Sequence, residues 1–141
     1  MVAALPVDHR LAAHKEIRPQ DIASETYITP TRAAPALKKV IDQYAVKSGI
    51  TLKPAYDAEN LSSAMSLVVS ADGVTLLPLH AQCLLPPSVV IRPLQGEAPT
   101  VDLVMGYSRS HTSALLKRLL SHADELVARV SQTIGWNRPG T

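Results

Sequence analysis

The sequence has no phenylalanine and only one tryptophan and four tyrosines, so its core must be built mainly from leucine, valine, isoleucine and alanine. Its single cysteine, Cys83, excludes an internal disulfide and any cysteine-rich metal site. No apolar run approaches the roughly 18 residues that a membrane span needs. The N-terminus has no basic start or long apolar stretch, so we expect no secretory signal. The net charge of +2 is too small to predict nucleic-acid binding by this chain alone.

The residues that are present follow the pattern of one globular α/β domain. Apolar residues at one-face spacing predict a helix from Leu61 to Val69, stopped by Gly73, and Val74–Leu77 reads as a short buried strand. Strands and helices alternate in this way along the chain, which predicts an open, mixed, largely parallel sheet with flanking helices. Further strands are predicted at 2–5, 26–29, 50–53 (extending towards Tyr56), 88–91 and 100–108, and further helices over 18–23, 35–48, 79–85 and 113–133.

Polar residues collect at two junctions between a strand and the following helix. The first elbow comprises Thr29, Pro30, Thr31 and Arg32. Backbone N–H groups at a helix N-terminus carry positive partial charge, so this elbow is a candidate site for a small carboxylate. The second elbow comprises Glu59, Asn60 and Ser62, and parallel neighbouring strands would bring it to the same edge of the sheet. The alternative at both is plain helix capping, by Thr31 and by Asn60.

Other chemistry-bearing residues carry weaker signals. His80 and Cys83 lie three residues apart and could form a nucleophile pair, although a buried, inert thiol is the commoner outcome. The other histidines show no mutual spacing of metal ligands and are expected at the surface: His9, His14, His111 and His122. We therefore predict no catalytic group, no metal and no cofactor. The apolar stripe of the last helix is expected to pack in a core, or else to face another chain.

Several segments, taken in order, resemble the effector-binding domain of LysR-type transcriptional regulators. Residues 4–12 (ALPVDHRLA) resemble the family's lP-x-x-H-p-L-a segment, and residues 19–28 (PQDIASETYI) resemble its l-x-D-L-a-x-e-p-f-i segment. Residues 72–78 (DGVTLLP) resemble a-G-x-G-v-a-l-l-P, with Asp72 as a departure. Residues 89–94 and 101–109 resemble the family's strands before and after the point where the chain crosses back from one subdomain to the other. The resemblance covers about residues 2–130.

This resemblance implies a periplasmic-binding-protein-like (type 2) fold and a division of the chain. Residues 12–96 would form the complete second effector subdomain. Residues 1–11 and 97–135 would be parts of the first subdomain, with residues 136–141 as a loose tail. The family's DNA-binding domain and the first half of its first subdomain would be missing from this chain, which would therefore be a truncated fragment.

The resemblance also implies a function: sensing a small organic or aromatic acid in the cleft between the subdomains. Carried over by position, the effector-binding residues would be those of the two elbows: Thr29, Pro30, Thr31, Arg32, Glu59, Asn60 and Ser62. We expect a cytoplasmic homo-oligomer that reaches DNA only through the missing N-terminal domain and does not contact a membrane. Two alternatives stay open: a small cysteine-dependent enzyme using Cys83 with His80, and a pure dimerisation module.

Overall fold

Strands and helices alternate along the chain in the structure, a computed structural model that describes residues 1–29, 34–102, 104–108, 110 and 113–134. Two 3₁₀ helices, Arg10–Ala13 and Leu79–Leu84, lie among the other elements. The strands are β1 (Val2–Pro6), β2 (Tyr27–Thr29), β3 (Pro54–Asp57), β4 (Thr75–Leu77) and β5 (Val89–Pro93). The α-helices are α1 (Pro19–Ala23), α2 (Pro35–Lys47), α3 (Leu61–Ser70), α4 (Ala114–Ser121) and α5 (Ala123–Ile134).

Four of the five strands run in one direction. β3 pairs parallel with β2, and a parallel bridge between Tyr27 and Val74 joins β2 to the start of β4. β1 lies between β4 and β5 and is antiparallel to both. The strand order is therefore β3-β2-β4-β1-β5, with β1 alone reversed. This arrangement confirms the expected α/β class and its mixed, largely parallel sheet.

The sheet separates two layers of core residues because alternate side chains of a strand point to opposite faces. In β1, Ala3 and Leu5 pack on one face, and Ala4 packs on the other. The first face carries α1 and α2, through buried residues Ile22, Leu37, Ile41 and Tyr44. The second face carries α3, through Ala64, Met65 and Val68. The helical periodicity that predicted α2 and α3 thus marks the faces that these helices bury.

Three of the predicted elements differ from the structure. The strand expected at 50–53 lies at Pro54–Asp57 instead, because the pairing of Thr29 with Asp57 fixes its register against β2. The described residues between 100 and 108 form no strand, since alternation alone supplies no partner backbone for a ladder. The helix expected over 113–133 is interrupted at His122, which divides it into α4 and α5.

Contacts divide the chain into two units, Met1–Val101 and Asp102–Thr141. β1 belongs to the first unit, where all five of its residues are buried in the middle of the sheet. Residues 1–11 therefore lie in the same contact unit as residues 12–96, because their apolar run supplies a central strand. The expected division of a whole effector domain into two subdomains stays a prediction. The expected tail, residues 136–141, lies outside the described residues.

The turn after α3 differs in detail from the sequence prediction. The helix ends at Ser70, and the residue with a left-handed backbone is Asp72, whose φ is 47°. Gly73 follows it and bonds its amide N to the carbonyl of Val68 at 3.0 Å. Gly49, predicted to stop α2, does adopt a positive φ of 66°. Among the described helices, none is both long and apolar enough to cross a membrane.

Candidate functional site

The two polar elbows leave the sheet side by side. Thr29 ends β2 and Asp57 ends β3, and these two residues are partners in the parallel ladder. One residue further on, the amide of Ala58 donates a 2.9 Å hydrogen bond to the carbonyl of Thr29. Both chains therefore turn away from the carboxyl ends of adjacent parallel strands, at the edge where ligands of open α/β sheets bind.

The first elbow leads into the N-terminus of α2. Thr29 is half-buried at the end of β2, whereas Pro30, Thr31 and Arg32 lie outside the described residues. Among the described residues, no side chain caps this helix, whose N-cap is Ala34, and its first turn carries no acidic residue. The partial positive charge of the α2 N-terminus is therefore not offset by an acid from its own first turn.

The second elbow forms a capping box at the start of α3. The Asn60 Oδ1 accepts a 2.9 Å hydrogen bond from the amide of Ser63, and the amide of Asn60 donates at 3.1 Å to the Ser63 Oγ. Plain capping, the alternative considered for Asn60, is thus present in the structure. Glu59 and Ser62 are exposed beside it. The cap fixes the direction in which the exposed side chains of this turn leave the helix.

A third elbow, which the sequence analysis did not single out, meets the same edge. Ile28 donates its amide to the carbonyl of Val74 at 2.9 Å, so β4 runs beside β2 in the same direction. The residues that follow β4, from Pro78 to the half-buried His80, therefore leave the sheet at the edge shared by Thr29 and Asp57. The position of these residues between a strand and a helix could have identified this elbow from the sequence. It was missed because the residues around it are apolar.

Burial sets the ionisation of one residue next to the first elbow. Tyr27 lies two residues before Thr29, is 3% exposed and packs in the core with Leu37 and Ile41. This burial raises the pKa of the Tyr27 phenol well above its usual value. The phenol therefore stays neutral in the folded chain even well above physiological pH.

A shallow open groove of about 700 Å³ follows the outer face of α3. It shares Leu61 and Ser62 with the second elbow, and none of its ten lining residues is charged. The α3 side is lined by Leu61, Ser62, Met65, Ser66, Val69 and Ser70, and the opposite side by Leu84, Leu85, Pro86 and Ser88. The groove is therefore a neutral, largely apolar surface that begins at the candidate site.

The structure also locates the cysteine and histidines that carried weaker signals in the sequence. Cys83 is exposed, which corrects the expectation of a buried thiol, and no hydrogen bond joins it to His80 within the described part of the chain. His9 is not a surface residue: it is 5% exposed, and its Nδ1 accepts a 3.1 Å hydrogen bond from the amide of Leu11. The described residues contain no cluster of three or more side chains suited to holding a metal ion.

A five-stranded mixed sheet with helices on both faces and polar elbows at one edge defines an α/β ligand-binding domain. The chain belongs to the family described as LysR substrate binding domain, which matches residues 1–128. Among curated proteins, it is 26% identical over 132 residues to the Hca operon transcriptional activator HcaR of Escherichia coli (strain K12). That match covers 93% of this chain and 45% of the relative, so the chain spans less than half of the relative's length.

Solved structures show the same fold. The BenM effector binding domain with its effector benzoate gives a TM-score of 0.67 at 18% identity, covering 98% of this chain and 62% of that one. The effector binding domain of QuiR in complex with shikimate gives a TM-score of 0.59 at 20% identity, covering 70% of this chain and 47% of that one. The periplasmic-binding-protein-like fold expected from the sequence is therefore confirmed.

Proposed function

We propose that this chain is the ligand-sensing part of a LysR-type transcriptional regulator and that it binds a small organic or aromatic acid at the edge formed by its elbows. The observation that carries this proposal is the pairing of Thr29 with Asp57, because it sets two strand-to-helix turns next to each other. Benzoate and shikimate, the ligands of the two solved relatives, are both carboxylic acids, which supports the proposed ligand class.

The first elbow supplies the groups that a carboxylate requires. The hydroxyls of Thr29 and Thr31, the guanidinium of Arg32 and the amides that open α2 are hydrogen-bond donors, and Arg32 adds a full positive charge. Pro30 restricts the backbone between them. We assign the carboxylate of the ligand to this elbow because the first turn of α2 carries no competing acid.

The second elbow would recognise the rest of the ligand. Glu59 repels a carboxylate but accepts hydrogen bonds from ligand hydroxyls. Asn60 and Ser62 add neutral polar groups at the start of α3, and Leu61 leads into the apolar groove. An acid with hydroxyl or ring substituents would therefore place its polar groups at this turn and its apolar part towards α3.

The proposed mechanism is a shift in population rather than a reaction. A ligand changes the state of a regulator only by binding one arrangement more tightly than another. In the whole regulator, which we place in the cytoplasm as a homo-oligomer, this difference would pass to a separate DNA-binding domain. We assign no catalytic residue and no cofactor to the chain, since the curated relatives that it resembles are named as transcriptional regulators.

Titration calorimetry of the 141-residue chain with benzoate and with shikimate tests the proposal. We expect saturable binding of at least one acid, weakened about tenfold by Thr31→Val, which removes one hydrogen-bond donor to a charged group. Thr100→Val, at an exposed position of the first unit, is the matched control and should leave the affinity unchanged. Equal affinities for Thr31→Val, Arg32→Gln and the unaltered chain would rule out the elbow as the site.

A further inference from the structure

Asp72 and Gly73 form the one Asp–Gly pair in the sequence. Every other aspartate precedes a residue that has a side chain: Asp8, Asp21, Asp42, Asp57, Asp102 and Asp124. A backbone amide that follows aspartate can attack the side-chain carboxyl group of that aspartate, and glycine hinders this attack least because it has no Cβ. The pair therefore has the composition of an isomerisation site, at which aspartate becomes isoaspartate.

The covalent change requires no reagent other than water. The amide nitrogen of Gly73 forms a bond to Cγ of the protonated Asp72 carboxyl group, and the amide hydrogen leaves with the carboxyl hydroxyl as water. Water then adds to one of the two carbonyl carbons of the succinimide ring. Cleavage at Cγ restores aspartate, whereas cleavage at the backbone carbonyl leaves the chain running through Cγ. The isoaspartate product is an isomer of the starting chain, with one extra carbon atom in its backbone.

The carboxyl group of Asp72 is accessible in the folded chain. Asp72 is exposed in the turn between α3 and β4, where water reaches it. Its φ of 47° lies in the left-handed region, which is less favourable for a residue that has a Cβ than for glycine. Opening of this turn therefore relieves an unfavourable backbone conformation and leaves the carboxyl group free to rotate towards the next amide.

The amide of Gly73 is protected as long as the turn stays closed. Gly73 is buried, and its amide donates the 3.0 Å hydrogen bond to the carbonyl of Val68. The next amide, that of Val74, donates at 2.9 Å to the carbonyl of Thr26. Ring closure requires the Gly73 nitrogen to lose its hydrogen and to turn towards the carboxyl group. The reaction therefore occurs only after local opening has broken these hydrogen bonds.

The extra backbone carbon prevents the turn from closing again. The hydrogen bonds of the Gly73 and Val74 amides fix the length of the chain between α3 and β4. Val74 joins β4 to β2 through both its amide and its carbonyl, which accepts at 2.9 Å from the amide of Ile28. A longer backbone before Val74 shifts these groups from their partners. Isoaspartate therefore breaks the connection between β2 and β4.

We propose that Asp72–Gly73 is a self-modification site controlled by the turn between α3 and β4. Isoaspartate forms only while the turn is open, and the product does not restore the connection between β2 and β4. This modification requires neither a ligand nor a second chain, so its test is independent of the proposed function.

Ageing of the full chain at neutral pH tests the protection by the fold. Endoproteinase Asp-N cuts before aspartate and not before isoaspartate, so loss of cleavage before Asp72 measures the product. We expect this loss to be at least about tenfold slower in the folded chain than in guanidinium chloride, because only the open fraction reacts. Cleavage before Asp57 is the internal control and should persist in both samples. Equal rates at Asp72 in the two samples, or an equal loss at Asp57, would overturn the proposal.

Two valine substitutions separate opening of the turn from unfolding of the whole chain. Ile28→Val removes Cδ1, the atom nearest to the Cβ position of Gly73, and Ile22→Val removes the same atom from an equally buried residue of α1. With both variants shown to be folded by circular dichroism, Ile28→Val should isomerise several-fold faster than Ile22→Val. Equal rates would place the reaction in the globally unfolded chain and contradict control by the turn.

Refolding of the aged chain tests the consequence of the modification. After ageing in guanidinium chloride and removal of the denaturant, the fraction that no longer reaches the original stability in urea should equal the fraction that resists cleavage before Asp72. If the resistant fraction refolds to the original stability, the turn accepts the extra carbon, and the proposed break between β2 and β4 is wrong.

Discussion

Gly73 lies against Ile28 so closely that a Cβ at Gly73 would stand 2.6 Å from the Ile28 Cδ1 and 2.7 Å from the carbonyl oxygen of Thr26. The carbonyl belongs to backbone that bonds the amide of Val74 at 2.9 Å, so it cannot withdraw without breaking the link between β2 and β4. The same link brings the third elbow to the edge that the first two elbows share. The absence of a side chain at Gly73 is therefore a condition for the link between β2 and β4.

The first prediction is that Gly73→Ala lowers the free energy of unfolding by about 2 kcal/mol, the usual cost of overpacking against atoms that cannot move. Urea unfolding measures this change. Gly106→Ala is the matched control, because a Cβ there meets nothing within 4 Å. If the two variants are equally stable, the backbone at the β2–β4 contact can move more easily than its hydrogen bonds indicate.

The second prediction concerns His9, which joins the 3₁₀ helix Arg10–Ala13 to the body of the first unit. His9→Ala removes the acceptor of the Leu11 amide and leaves a gap at a buried position, where its Nε2 lies 3.5 Å from Glu25. We expect a loss of about 2 kcal/mol. His14→Ala, at an exposed position five residues on, should change the stability by less than about 0.5 kcal/mol. A small effect of His9→Ala in urea unfolding would show that water replaces the ring.

The third prediction separates capping from binding at Asn60. Asn60→Asp keeps an oxygen for the Ser63 amide and should leave the melting temperature nearly unchanged, whereas Asn60→Ala should cost about 1 kcal/mol. If the elbows hold a carboxylate, the added negative charge of Asn60→Asp should weaken benzoate binding by several-fold. Thermal melting and calorimetry on the same samples measure both effects. If Asn60→Asp changes neither the affinity for benzoate nor the stability, Asn60 caps α3 and does not contribute to binding.

The fourth prediction concerns high pH. The folded chain raises the pKa of Tyr27 above 10.0, so the folded state holds this proton more tightly than the unfolded state does. The contribution of Tyr27 is complete below about pH 10 and is lost as the pH rises towards the folded pKa. Stability measured in urea between pH 9 and pH 11 should therefore fall less steeply for Tyr27→Phe than for the unaltered chain.

Tyr44→Phe is the informative comparison, because burial also raises the pKa of Tyr44, which lies on α2. If the two substitutions reduce the pH dependence of stability additively in the double variant, both phenols contribute to the loss of stability at high pH. If Tyr27→Phe follows the same pH course as the unaltered chain, the phenol of Tyr27 is reached by solvent in the folded state.

Local sequence patterns predicted most of the helices and strands of the first unit. Apolar residues at helical spacing predicted α2 and α3, and Pro19 at the first helical position marked α1. The short apolar runs predicted β1, β2, β4 and β5 to within two residues. These elements are specified locally, because side-chain periodicity and capping act within a few residues of the backbone.

Local sequence patterns identified only part of the candidate site. Thr29 and Asn60 were recognised because polar residues at strand-to-helix junctions are a local signal. Asp57 was missed because its strand was placed too early, and Pro78 because its surroundings are apolar. The assignment of His9 to the surface was wrong, since a histidine can be buried when one ring nitrogen accepts a backbone hydrogen bond.

The sequence by itself determined the helix faces, the turns at Gly49 and at the start of α1, and the choice of two polar elbows. The tertiary structure decided which strands are neighbours: the central place of β1, the register of Thr29 with Asp57, and the absence of a ladder in the described residues between 100 and 108. The physical reason is that a helix closes its hydrogen bonds within its own segment. A strand obtains its partners from residues far along the chain, and only the assembled sheet selects them.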